Sequence, residues 1–251
     1  MEASHGLHHS FSADVPTPYG AAMTTIVLVH GAWGGSYGFR TVKRMLHERG
    51  HEVITPSLTG IGERAHLAGA HVDLNLHIDD VYNTIFYDDL SDLVLLSFSY
   101  GGMVVTGVLD RLGDRVRSLV YLDALVPDDG HCAHDLVPLP LPEDTWEVPP
   151  LPRELATPEA TAWSNERRMP MSVGTFTTPI SLATPLEARG LPLAFIKATA
   201  DPNESPESAF WQAARHADAS PAWSYHEIAT NHMVPSMEPE QLTDVLDSLA
   251  R

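Results

Sequence analysis

The sequence predicts an α/β protein built on a doubly wound, mostly parallel six-stranded sheet with a lid insertion, and three observations predict it. Short β-branched and Leu-rich runs alternate with segments of helical period. The alternation stops once, across a long proline-rich stretch, and then resumes. The 251 residues, 43% hydrophobic, show no composition break that would ask for a second domain.

The elements follow in order. "TTIVLVHG" (24–31) reads as a buried parallel strand, and "FRTVKRMLHERG" (39–50) as an amphipathic helix closed by Gly50. "HEVITPS" is a second strand. "NLHIDDVYNTIFYDD" (75–89) is a second helix, with Leu76, Val81 and Ile85 spaced for one face. "DLVLLSFS" with "GGMVVTGVLDRLGDR" forms a third strand–helix pair, and "VRSLVYLDALVP" supplies the fourth strand. Twelve of the twenty prolines then fall between Pro127 and Pro192, among Trp146, Trp163, Met169, Met171 and Phe176, which are anchors too large for a disordered linker. We therefore expect a structured lid over about 128–190, at the carboxyl edge of the sheet. "PLAFIKATAD", a helix "SPESAFWQAARHA" starting near Ser205, the strand "AWSYHEIA" and a last helix "EPEQLTDVLDSLA" complete a domain over 23–251. Residues 1–22 carry Pro, Gly, Ser and His with no sustained period, and are expected to form a flexible extension.

Composition excludes several functions. The formal charge is −18, from 15 basic and 33 acidic residues, a field that disfavours nucleic acid and anionic lipid as partners. No apolar run is long enough to span a membrane. The one cysteine, Cys132, cannot form an internal disulfide, so a cytoplasmic location is the default expectation. The fourteen histidines lie outside any Cys-rich or HExxH context, so neither metal nor cofactor is called for. Oligomeric state is left open.

In sheets of this kind, ligands bind outside the carboxyl ends of the strands, and the reactive residue types collect there. Ser99 sits where the third strand turns into a helix, in the frame Ser97-Phe98-Ser99-Tyr100-Gly101-Gly102. Such a turn can hold the serine backbone in a strained conformation and push its hydroxyl into a cleft. A serine there can also simply cap the helix. A nucleophile needs a base and an acid to orient that base. "EIATNHMVP" places His232 past the last strand, and "KATADPNESP" places Asp201 past the one before it. Asp123, in "YLDALVP", is the competing acid. Asp201 is preferred because the order Ser, acid, His usually takes its acid from a later strand. The backbone N–H groups of Ala32, in "HGAWGG", and of Tyr100 are the candidate oxyanion donors. Trp33, Trp146, Trp163 and Met233 are candidates for substrate contact.

With these residues in place, the chain resembles the α/β-hydrolase superfamily, in particular its compact branch of carboxylesterases, plant methylesterases and hydroxynitrile lyases. The resemblance covers residues 23–251 through "VHGAW", "LTGIGERAH", "HIDDV", "SYGGMV", "YLDALVP", "ATADP" and "NHM", in that order. It implies the α/β-hydrolase fold, a triad of Ser99, Asp201 and His232, and an oxyanion hole at Ala32 and Tyr100. Two departures stand out. Ser97 replaces the first glycine of the usual Gly-X-Ser-X-Gly frame, and Met233 stands where the lyases carry a lysine that holds departing cyanide. The expected activity is hydrolysis of a carboxylic ester of a neutral, fairly apolar small molecule through an acyl-enzyme. A carbon–carbon lyase and a noncatalytic small-molecule receptor are the alternatives.

Overall fold

The computed structural model describes residues 23–251, so the extension expected over 1–22 lies outside the described residues. The first half comprises β1 (Thr25–Val29), α1 (Arg40–Glu48), β2 (Glu52–Ile54), α2 (Leu74–Tyr87), β3 (Leu93–Phe98), α3 (Gly101–Leu112) and β4 (Val116–Leu122). An insertion carries α4 (Ala133–Leu136), β5 (Glu147–Val148), α5 (Pro158–Glu166), β6 (Met171–Ser172) and α6 (Val173–Thr177). The alternation resumes with β7 (Leu193–Ala198), α7 (Ala209–Ala219), β8 (Trp223–Ile228), α8 (Val234–Met237) and α9 (Pro239–Leu249).

Six strands form one sheet in the order β2-β1-β3-β4-β7-β8, and every pair is parallel. Alternate residues of each strand enter two different cores, as the two-residue period of a strand requires. Val27, Val29, Leu95, Leu119, Tyr121 and Phe195 pack under α2, α3 and α7. Ile26, Leu28, Val94, Leu96, Val120 and Ile196 pack under α1 and α9. Both faces are covered, which is why these strands read as nearly continuous apolar runs. Among the described residues, no helix is long and apolar enough to cross a membrane.

Two local details differ from expectation. The buried stripe of α2 runs through Leu74, Ile78, Val81 and Ile85, with Leu76 only half-buried. Asp73 sets that register by accepting the Leu76 N–H at 2.9 Å, which places the helix start one residue early. Helix α7 starts at Ala209 because Ser208 is the cap, accepting the Trp211 N–H at 3.2 Å. Ser205 instead closes a turn ahead of it, its carbonyl accepting the Ser208 N–H at 3.0 Å.

The insertion is structured and tied to the body through Trp33. Its β5 and β6 pair antiparallel, Val148 opposite Met171. Val148 O accepts the Trp33 indole N–H at 3.0 Å, Met171 Sδ accepts the Trp33 backbone N–H at 2.9 Å, and Trp33 O accepts the Met169 N–H at 3.1 Å. Three bonds to one residue of the loop after β1 fix the lid against the carboxyl edge of the sheet.

Candidate active site

Ser99 leaves β3 with φ 56°, a left-handed conformation that a residue with a Cβ seldom adopts. Its N–H donates to Leu122 O at 3.3 Å, and its carbonyl accepts from Gly102 N at 3.1 Å and Leu125 N at 3.0 Å, so β4 and the start of α3 hold the turn. Glycine is required at two places around it. A Cβ on Gly31 would lie 2.7 Å from the Ser99 Cβ, and one on Gly102 would lie 1.9 Å from Leu125 O. Trp33 (φ 60°) and Asp123 (φ 41°) share the strained backbone, so three such residues converge on one end of the sheet.

His232 follows β8. Its ring lies between Phe98 and Phe210, with centroids 4.8 and 5.1 Å away. Nε2 is 3.0 Å from Ser99 Oγ, and Nδ1 is 2.6 Å from Asp123 Oδ2. The acid on the imidazole is therefore Asp123, and the expectation for Asp201 is corrected. Asp201 Oδ2 accepts the backbone N–H of His232 at 3.1 Å, while Oδ1 accepts that of Asn203 at 2.9 Å, so it braces the loop from which the ring projects. Sheet order explains the outcome: β4 lies beside both β3 and β7, so the end of β4 lies between the serine and the histidine loop.

Lys197 is a residue that sequence reasoning missed. It is fully buried, and its Nζ donates at 2.7 Å to each of Asp123 Oδ1, Glu204 Oε2 and Ala198 O. The signal was present: a lone lysine inside the apolar run "PLAFIKATA" needs a carboxylate partner, and Leu122 pairs with Ile196, which brings Asp123 beside Lys197. Burial opposes ionisation of Asp123. The hydrogen bond to His232 and the charges of His232 and Lys197 outweigh it and hold the carboxyl below its ordinary range. An ionised Asp123 accepts from Nδ1–H, which leaves Nε2 free to accept the Ser99 proton.

Tyr100 follows Ser99 in sequence and Ala32 follows Gly31, which packs on the Ser99 Cβ; among the described residues neither backbone N–H has a protein acceptor. Tyr100 is pinned from behind. Its hydroxyl lies 3.0 Å from His77 Nδ1, and His77 Nε2 lies 3.0 Å from Thr59 O. Burial pushes the Tyr100 hydroxyl well above its ordinary pKa and pulls His77 down to about 4, so a phenol donates to a neutral imidazole whose Nε2–H donates to Thr59. Thr59 is itself held by Asp80, which accepts its N–H at 2.6 Å and its hydroxyl at 2.9 Å. The histidines of "VHGAW" and "HIDDV" thus serve the core: His30 Nε2 accepts the Leu58 N–H at 3.1 Å, and burial lowers its pKa to about 4.

Ala32, Phe98, Trp163, Arg168 and Met233 line a mostly apolar cleft beside the Gly31 turn. A second opening on the His232 side is lined by Leu136, Leu151, Arg153 and Phe210. Of the four substrate-contact candidates, Trp163 and Met233 line the cleft. The other two are corrected: Trp33 is buried as the lid anchor, and Trp146 lies over Thr59, His77 and Met171 in a separate small cavity.

Three comparisons with known proteins bear on this arrangement. A family model described as "Alpha/beta hydrolase family" matches residues 26–245. The chain is 35% identical over 246 residues to a carbendazim hydrolyzing esterase from Nocardioides sp. (strain SG-4G), covering 90% of this chain and 100% of that protein. It is 27% identical over 116 residues to Methylesterase 2 of Arabidopsis thaliana, covering 42% of this chain and 41% of that protein. Among solved structures, an extracellular alpha/beta-hydrolase from a Paenibacillus species superposes with a TM-score of 0.76 at 20% identity, covering 91% of this chain and 99% of that one.

Proposed function

The chain belongs to the α/β-hydrolase family, and from that membership we propose that it hydrolyses a carboxylic ester of a small molecule, with Ser99 as nucleophile, His232 as base and Asp123 as the acid that orients it. The observation that carries the proposal is the continuous chain from Ser99 Oγ through His232 to Asp123, at 3.0 and 2.6 Å.

The chemistry follows from the geometry. Ser99 Oγ bonds to the ester carbonyl carbon as its proton passes to His232 Nε2, and Asp123 stabilises the imidazolium so formed. The carbonyl oxygen takes up negative charge against the Ala32 and Tyr100 N–H groups, donors whose positions the Gly31 turn and the Tyr100–His77 bond fix beforehand. The carbon–oxygen bond to the alcohol breaks, and the leaving alkoxide takes the proton from His232. Water, deprotonated by the same nitrogen, then cleaves the acyl-enzyme and restores the serine. The aromatic and apolar cleft suits a fairly apolar ester. The named activity of the Nocardioides relative supports the same reaction class. Met233 brings no cation to the position after His232, which speaks against cyanohydrin cleavage.

Ser99→Ala should lower the hydrolysis of p-nitrophenyl esters by several orders of magnitude at an unchanged melting temperature. Retention of a tenth of the parental rate would move the nucleophile elsewhere.

A further inference from the structure

The cleft beside Ala32 is mostly apolar, and Arg168 is the one residue in its lining that carries a full charge at neutral pH. Its Nε is buried and has no hydrogen-bond partner, and among the described residues no carboxylate lies within ion-pair distance of the group. Its guanidinium carbon lies 5.8 Å from the centroid of Trp33, but no anion among the described residues compensates it, and a partly buried cation without an anion is costly to keep. The Arg40 and Arg167 guanidinium carbons sit 3.8 and 4.3 Å from the centroid of Trp163, which lines the same cleft. Arg153 lies at the opening on the His232 side, where the carboxylates of Asp201, Glu204 and Glu207 also line the wall. Burial, and then the nearby charge of Arg153, pull Arg168 down to about 10, which still leaves it cationic at neutral pH. Arg168 is thus the one arginine that lines this cleft, with Arg40 and with Arg167, which also meets Glu166 at 3.2 Å, stacked on Trp163.

Arg168 shares its cleft with Ala32, a candidate oxyanion donor, whereas His232 lines the other opening. The leaving alkoxide takes its proton from His232, so the alcohol departs toward the opening that His232 lines. The acyl group is left in the cleft lined by Ala32, Trp163 and Arg168. We propose that Arg168 binds a carboxylate carried on the acyl group, so that the preferred substrates are half-esters of dicarboxylic acids with an apolar spacer. The proposal rests on the acyl-transfer reading above and replaces the neutral substrate that net charge alone suggested. Field at a cleft depends on the charges within about one Debye length, ~8 Å at physiological salt, and not on the total. A neutral acceptor would satisfy Nε–H yet leave the guanidinium uncompensated; a carboxylate does both.

The test pairs two esters of matched length, p-nitrophenyl valerate and the mono-p-nitrophenyl ester of glutaric acid. Their kcat/KM is measured on the parent, Arg168→Met and Arg168→Lys at physiological salt, beside calorimetric binding of both to Ser99→Ala. The parent should prefer the half-ester, and Arg168→Met should lose about 10- to 100-fold on it, with little change on valerate and no loss of melting temperature. Arg168→Lys should recover part of that loss. Ser99→Ala should bind the half-ester more tightly. Equal binding and turnover of the two esters, or an Arg168→Met variant that affects both alike, would overturn the proposal. Tight half-ester binding without parental turnover of either ester would instead sink the hydrolase reading and leave the anion subsite standing.

Discussion

Asp123 and Asp201 are both aspartates at the end of a buried strand, and what separates them is the atom of His232 that each one meets. Asp123 holds ring Nδ1 and Asp201 holds the backbone N–H. Asp123→Asn should cost about 10⁴ in kcat by favouring the wrong tautomer, whereas Asp201→Asn, which keeps an oxygen for one of its two backbone donors and does not touch the ring, should cost about tenfold or less. Steady-state kinetics on the two variants would show the reverse ranking if Asp201 were the acid. Lys197 acts through Asp123 as a positioning residue. Lys197→Met removes a buried positive charge that favours ionised Asp123, so the Asp123 carboxyl rises and the pH profile of kcat/KM shifts. Loss of stability with an unmoved pH profile would reduce Lys197 to a structural role. The sequence made Ser99 and His232 legible because each stands alone in its strand-end motif. It left the acid ambiguous because chain order says nothing of which strands become neighbours.

Helix α3 shows how an element sets the site. Its first turn approaches Leu125 O, just past Asp123, so closely that only glycine fits at position 102, and this contact holds the nucleophile's helix against the acid's loop. Gly102→Ala should therefore destabilise the fold by about 1–3 kcal/mol, as overpacking does, and should also lower activity more than an equally destabilising change in α9. Urea unfolding beside kcat/KM checks both; normal activity at full stability would mean that the contact is slack. Ser97 lies on the same face of β3 as Leu95, two residues before the serine of the turn. Its Oγ is 3.3 Å from Val120 O, in a fully buried position between strands. The element pattern was readable because both sheet faces are covered and each strand ends in turn residues. The lid was readable only as a lid, since its β5–β6 pair is two residues long and its register is set by bonds to Trp33, which no local pattern reveals.

At the scale of the molecule, two buried histidines couple stability to pH. His30 and His77 each have a folded pKa of about 4 against an ordinary 6.5, so the unfolded chain binds more protons between those values. Their contribution is present in full above pH ~6.5 and is lost as pH falls through about 4, on the order of 3 kcal/mol for each. Melting temperature should fall across that window, and His77→Gln should flatten part of the fall; a melting temperature constant from pH 7 to 4 would contradict the assignment. The function proposed above asks one thing of the arrangement of β3, β4 and β8, a serine hydroxyl activated through His232 by Asp123. The most direct test is the rate at which a fluorophosphonate labels the intact chain, with the modified residue located by peptide mass. The expected result is a label on Ser99 that is abolished by His232→Ala, slowed by orders of magnitude in Asp123→Asn and nearly unchanged in Asp201→Asn. A label on another residue, or equal labelling of Ser99 in the parent and in Asp123→Asn, would contradict it.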